Sequence, residues 1–311
     1  MESTAFALRN IVSVQDLSNE QVMDLIKSAQ AFKRGEKADL PERPRFAANM
    51  FFEDSTRTHT SFAVAEGRLG MNVIELSPEH SSIKKGETLA DTFLTLDALG
   101  VDTLVIRHKA DDYYLPLLDL QEELNLNIHL LNGGDGRGQH PSQCLLDLMT
   151  IYEEFNHFDG LHVAIVGDIK NSRVARSNAQ LLTQLGATVS FSGPEYWYDP
   201  SFSSFGEFVP LDDLVEKVDV MMLLRVQHER HNAEEASEQQ FSATDYHEKY
   251  GINQARYDRL PEQAIICHPG PINRDVEFAS ELVTAPKSRY VQQMHNGVFM
   301  RMAMLEAVMH D

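Results

Sequence analysis

Residues 45–76 read RFAANMFFEDSTRTHTSFAVAEGRLGMNVIEL, and their pattern sets the fold. RFAANMFFE is a short apolar run, the signature of a buried strand. SFAVAEGRLG follows, with Phe62, Ala65 and Leu69 at helical spacing and Gly70 as a stop. NVIEL is a second short strand. A strand, a helix and a strand in succession predict a parallel sheet with helices on its faces.

The alternation continues outward from this unit. GETLADTFLTLDALG reads as a helix and VDTLVIRH as a strand. Upstream, residues 13–36 read as one helix, with Leu17, Val22, Leu25, Ile26 and Ala29 near one face and Gly35 at its end. Downstream the pattern restarts. HPSQCLLDLMTIYEEF is a long helix able to bridge two domains. LHVAIVGD, ATVSFSGP and VDVMMLLRVQ are strands, and SRVARSNAQLLTQLG is a helix. Residues 227–251 are polar and read as a mobile loop. YVQQMHNGVFMRMAMLEAVMH is helical and is expected to pack back on the first domain. The fold class expected is α/β, with two domains, each a parallel sheet flanked by helices, joined by long interdomain helices. The first domain takes residues 1–138 with 290–311 returning to it, and the second takes 139–289.

The chain has 311 residues, which suits two domains rather than one small core. No apolar stretch has the length needed to cross a bilayer. The start, MESTAFALRN, lacks a basic segment followed by a long apolar one, so no signal peptide is expected. Cys144 and Cys267 stand in no metal-ligand spacing and read as free thiols in a reducing cytoplasm. With 27 basic and 47 acidic side chains, the net charge is −20. Such a surface repels nucleic acid and anionic membranes. A site for a small anion must therefore be a local island of Arg, Lys and His.

Several such islands stand out. Ser55, Thr56, Arg57 and Thr58 crowd a predicted helix start, where unpaired N–H groups and a partial positive charge already favour phosphate. One helix cap needs only one of these residues. Lys84 and Lys85, with Ser81 and Ser82, occupy a Gly-ended loop that could equally be a solvated basic turn. Arg107 ends a predicted strand, at the sheet edge where open α/β folds bind ligands. His140, Pro141 and Gln143 open the long helix, where a capped helix start with an exposed His reads about as well. GDIKNSR sits where a dinucleotide fold would carry its glycine fingerprint, but Arg173 stands there instead, which suits a small carboxylate. Arg225 and Gln227 end another strand. HPGPINR, residues 268–274, is a stiff loop holding Pro269 and Gly270. No metal constellation is expected. His228 and His231 are three apart, but they have no third ligand in view.

Taken in order, STRT, KKGETLADT, RH, GDGRGQHPSQ, GDIKNSR, LLRVQHER and HPGPINR resemble the catalytic chains of the aspartate carbamoyltransferase family, over nearly the whole length. The resemblance implies transfer of the carbamoyl group of carbamoyl phosphate to the amine of L-aspartate, with no cofactor, in pyrimidine biosynthesis in the cytoplasm. It implies that Ser55, Thr56, Arg57 and Thr58 hold the phosphate. Arg107, His140 and Gln143 would hold or polarise the carbamoyl end, with Thr58 assisting. Arg173, Arg225 and Gln227 would grip the aspartate carboxylates. Ser81 and Lys85 would enter from the neighbouring subunit of a homotrimer, and Pro269 and Gly270 would lend backbone carbonyls near the amine. The sequence departs from the pattern at Gly270, where a bulkier apolar residue is usual, and at Asp275, where many relatives have Gly. The rival readings are a carbamoyltransferase using ornithine and a non-catalytic nucleotide-binding α/β protein. Arg225–Val226–Gln227 favours a carboxylate acceptor over ornithine, and the missing glycine fingerprint counts against the nucleotide.

Overall fold

The computed structural model describes residues 7–40, 42–80, 82–226 and 242–310. It divides into two compact units, Met1–Met149 with His295–Asp311, and Thr150–Met294. Each is built on a parallel sheet, as the alternating pattern requires.

In the first unit the strands are β1 (Phe46–Phe51), β2 (Asn72–Leu76), β3 (Thr103–His108) and β4 (His129–Asp135), in the order β2-β1-β3-β4. The helices are α1 (Asn19–Lys33), α2 (Thr56–Arg68), α3 (Leu89–Ala98) and α4 (Leu115–Leu124). α5 (Pro141–Phe155) begins here and carries the chain into the second unit. Side chains alternate across the strands. Ala48 and Met50 join Leu104, Ile106, Phe93 and Leu117 in one apolar cluster. Burying each large member contributes about 1.5–3 kcal/mol. Asn49, between Ala48 and Met50, instead donates to Glu66 of α2 at 2.8 Å. Burial pushes the Glu66 carboxyl up to about 7.

In the second unit β5 (His162–Val166), β6 (Thr188–Ser192), β7 (Gly206–Phe208), β8 (Val220–Leu223) and β9 (Ile265–Cys267) run in the order β7-β6-β5-β8-β9, all parallel. α6 (Arg173–Gln184), α7 (Leu211–Leu214), α8 (Ala243–Tyr250) and α9 (Gln254–Arg259) accompany them. α10 (Tyr290–Met309) starts in this unit and ends in the first.

Two sequence expectations need correcting. The predicted helix over 13–36 is a short turn, Val14–Asp16, followed by α1. Ser18 and Gln21 form a reciprocal capping box, and that starts the helix at Asn19 rather than at residue 13. The expected loop over 227–251 ends in helix: the Ser242 side chain accepts from Asp245 N and starts α8. Residues 227–241 lie outside the described residues. Among the described residues no helix is long and apolar enough to cross a membrane.

Candidate active site

Each sheet has one point where its strand order reverses, and ligands of such sheets bind outside the strand ends there. In the first unit this point lies between β1 and β3. Phe51 is the register partner of Arg107, and Phe52 N donates to Arg107 O at 2.9 Å. The Ser55–Thr58 segment thus leaves β1 next to the strand end that carries Arg107. Ser55 is the N-cap of α2, yet its hydroxyl makes no capping bond. His59 N is bonded to Ser55 O, so the N–H groups of Thr56, Arg57 and Thr58 come before that bond. No acid stands in this first turn. Thr58 is buried and Arg57 half-buried. The Arg107 guanidinium pairs with Glu53 at 3.3 Å.

A bulge beside Arg107 is built by glycine. Ile106 pairs with Asn132 but His108 pairs with Asp135, so β4 carries an extra residue. A Cβ at Gly133 would lie 3.1 Å from Ile106 O and 3.4 Å from the Arg107 Cβ. Beyond the bulge, buried Asp135 accepts from Asp112 N, Gln139 N and Asn132 Nδ2, and these bonds fold the GDGRGQ loop. Burial raises the Asp135 carboxyl, and those bonds oppose the rise. The loop delivers His140 to the start of α5, where its carbonyl accepts from Cys144 N and Pro141 takes the first helical position. His140 and Gln143 are 5% and 8% exposed, so both are held rather than solvated. Gln143 Nε2 donates to buried Asp147 at 2.8 Å, which fixes the orientation of its amide. Burial pushes the adjoining Cys144 thiol far up, and Asp147 adds to the rise.

Arg301 of α10 lies behind these helices, 3% exposed. Its guanidinium donates to Ser61 Oγ of α2 and to Ser142 Oγ of α5, both at 3.1 Å, and to Gly297 O at 3.0 Å. It also stacks on Phe62 at 5.0 Å. A Cβ at Gly297 would come within 2.6 Å of it, which explains a glycine inside a helix. Burial lowers Arg301 to about 9 and Asp147 raises it, so it stays charged at neutral pH.

In the second unit the order reverses between β5 and β8. After β5, Gly167 adopts φ +132 with Leu224 and the Tyr246 hydroxyl closely packed on it. Ser172 then caps α6, and Arg173 is its first residue, 5% exposed. After β8, Leu224 N donates to Val166 O at 2.8 Å, and half-buried Arg225 follows at once. β9 borders β8 and leads into His268, Pro269 and Gly270. His268 N donates to Gln293 Oε1, and Gly270 N donates to the His268 ring. Gly270 has φ +68, a conformation that a bulkier residue rarely adopts. The fold thus gathers Arg173, Arg225 and the 268–274 loop at the C-terminal ends of three adjacent strands.

Lys85 is exposed at the end of the Ser82–Lys85 turn, before Gly86 at φ +96. Ser81, Gln227, His228 and His231 lie outside the described residues. Among the described residues no group of three or more His, Cys, Asp or Glu could hold a metal. Sequence reasoning missed Glu53, Asp135, Asp147, Glu277 and Arg301, the charged groups that hold the site residues in place. Only Asp147 left a signal, four residues after Gln143 on one helix face.

Two parallel sheets, each with basic residues following the strands at its reversal point, suit the binding of small anions. Residues 9–153 match the model of the aspartate/ornithine carbamoyltransferase carbamoyl-P binding domain, and residues 159–308 match the model of the Asp/Orn binding domain. The chain belongs to the aspartate/ornithine carbamoyltransferase family. It is 61% identical to the aspartate carbamoyltransferase catalytic subunit of Ligilactobacillus salivarius, covering 97% of this chain and 96% of that one. It is 56% identical to the Enterococcus faecalis subunit of that name, covering 99% and 98%. The aspartate transcarbamoylase of Trypanosoma cruzi, solved with carbamoyl phosphate and aspartate, aligns with TM-score 0.83 at 33% identity, over 98% of each chain.

Proposed function

We propose that the protein transfers the carbamoyl group of carbamoyl phosphate to the amine of L-aspartate, giving N-carbamoyl-L-aspartate and phosphate. The observation that carries this reading is the pair of reversal points. Ser55–Thr58 and Arg107 follow or end the strands at one, and Arg173 and Arg225 follow the strands at the other, in a chain of net charge −20.

The first unit takes carbamoyl phosphate. The N–H groups that open α2, the hydroxyls of Ser55, Thr56 and Thr58, and Arg57 hold the phosphate. Arg107, His140 and Thr58 polarise the carbamoyl carbonyl. Because Gln143 Nε2 is engaged by Asp147, its Oε1 is the end presented to the carbamoyl NH2. The second unit takes L-aspartate on Arg173, Arg225 and Gln227, with the Pro269 and Gly270 carbonyls accepting from its amine. The amine nitrogen bonds to the carbamoyl carbon, the carbon–oxygen bond to phosphate breaks, and the departing phosphate takes the amine proton. No side chain needs to act as nucleophile. Charge grows on the phosphate as it leaves, and each fixed donor there contributes roughly 3–4 kcal/mol to the transition state. Ser81 and Lys85 reach the site of the adjacent subunit in a homotrimer. The product is an early intermediate of cytoplasmic pyrimidine synthesis.

Turnover of carbamoyl phosphate with L-aspartate, set against L-ornithine, tests the acceptor. Product with aspartate alone is expected. Product with ornithine alone would overturn the assignment of Arg173 and Arg225.

A further inference from the structure

Arg225 lies just past the last ladder bond of β8, Leu224 N to Val166 O. A long side chain grips a carboxylate well only if its backbone is fixed on both sides. The next anchor is the following peptide. Val226 N donates to Glu277 Oε1 at 2.7 Å. The same carboxylate accepts from Asn273 Nδ2 and Asn273 N, each at 2.9 Å. Asn273 Nδ2 also donates to Val226 O at 3.1 Å, closing the cluster. Glu277 is 1% exposed, and these three bonds come from backbone or amide N–H groups. It ties the strand end that carries Arg225 to the loop that carries Pro269 and Gly270.

We propose that Glu277 is a positioning residue for L-aspartate: its ionised carboxylate locks the peptide after Arg225 to the 268–274 loop, setting the carboxylate grip and the backbone carbonyls as one piece. The proposal rests on the aspartate assignment above. A protonated Glu277 would direct an O–H toward groups that are themselves donors, and at least one bond would be lost. Burial pushes this carboxyl up to about 7, so the lock weakens as pH falls through neutrality. Tyr246 of α8 lies within electrostatic reach of it, and Arg274 and Asp275 precede it in its own loop. His247 adds a ring nitrogen 3.0 Å from Val276 O. Burial raises the Tyr246 phenol far above this range, so it stays neutral. His247 is the group that needs a control.

The test compares Glu277→Gln with the wild-type chain. Gln has the same size but aims an NH2 at donors. At pH 8 the KM for L-aspartate should rise by about tenfold, the effect of losing one hydrogen bond to a charged group. The KM for carbamoyl phosphate should stay within about twofold. The ratio of variant to wild-type aspartate KM should fall toward one at pH 6, because protonation makes the wild type resemble the variant. His247→Gln should leave that convergence in place. Hydrogen exchange should speed up at Val226 and Asn273 and stay slow in β5 and β8, which a global loss of structure would not produce. Asn273→Ala removes one donor and leaves the charge. It should move the aspartate KM the same way by about threefold, which covers the case of a Gln variant that does not fold. A flat ratio between pH 6 and 8, equal rises in both KM values, or an unmoved Asn273→Ala would overturn the proposal. Absence of wild-type turnover with aspartate would instead remove the reading beneath it, and the exchange experiment would still test the lock.

Discussion

The two units solve one problem with opposite charges. The first must hold two helix starts together, those of α2 and α5, and it does so with a buried cation, Arg301. The second must hold two loops together, and it does so with a buried carboxylate, Glu277. The difference lies in which groups each tie meets. Between α2 and α5 the groups that meet the tie are the hydroxyl oxygens of Ser61 and Ser142, and they accept from a cation. Arginine reaches Ser61 and Ser142 with separate nitrogens of one planar fork. Loops have spare N–H groups, so a tie between loops must be an acceptor. The sign of each buried charge matches the groups it meets, serine oxygens in one unit and N–H groups in the other.

The largest expected effect tests whether the phosphate end is held by the first unit of one chain alone. Arg57→Ala should lower turnover by about two decades with the circular dichroism unchanged, since a fixed donor to developing charge is lost. Lys85→Ala should also be inactive. Reassembled mixtures of the two chains should regain activity at about one site in three per mixed trimer, because one interface then joins an intact Arg57 to an intact Lys85. Mixed trimers confirmed by mass but silent in the assay would rule out the shared site.

A smaller effect probes the cation. Lys at position 301 cannot reach both serines, so Arg301→Lys should lower stability by about 2 kcal/mol in a denaturant titration. The carbamoyl phosphate KM should rise while the aspartate KM holds, the mirror image of Glu277→Gln. Equal changes in both constants would dissolve the contrast between the units.

The smallest effect concerns a loop. Asp275 holds φ +61, where glycine is at ease, and accepts from Ser280 N and Ser280 Oγ, both at 2.8 Å. Asp275→Gly relieves the strain but gives up those bonds, so stability should change by no more than about 1 kcal/mol. A large shift in melting temperature in either direction would show that one of the two terms dominates.

Much of the architecture was legible in the sequence because buried parallel strands are continuous apolar runs and glycines end the helices. β4 was not, because NIHLLNGGD mixes Asn and Gly into its apolar core, and those glycines serve the bulge beside Arg107. β7 and β9 have three residues each, too few to show a period. Arg57, Arg107, Arg173 and Arg225 could be singled out because cations at strand ends and helix starts are conspicuous in an acidic chain. Arg301, Asp147 and Glu277 could not, because a buried charge and a surface charge are spelled alike, and only the folded contacts tell them apart.

The return of α10 to the first unit has a consequence for how the chain is made. Residues 150–294 are continuous, but the first unit needs residues 295–311. During synthesis the usual order, with the N-terminal domain finishing first, is therefore reversed. Ser61 and Ser142 emerge long before Arg301 exists to join them. A nascent chain whose translation stops before residue 295 has the residues of its second unit but not all those of its first.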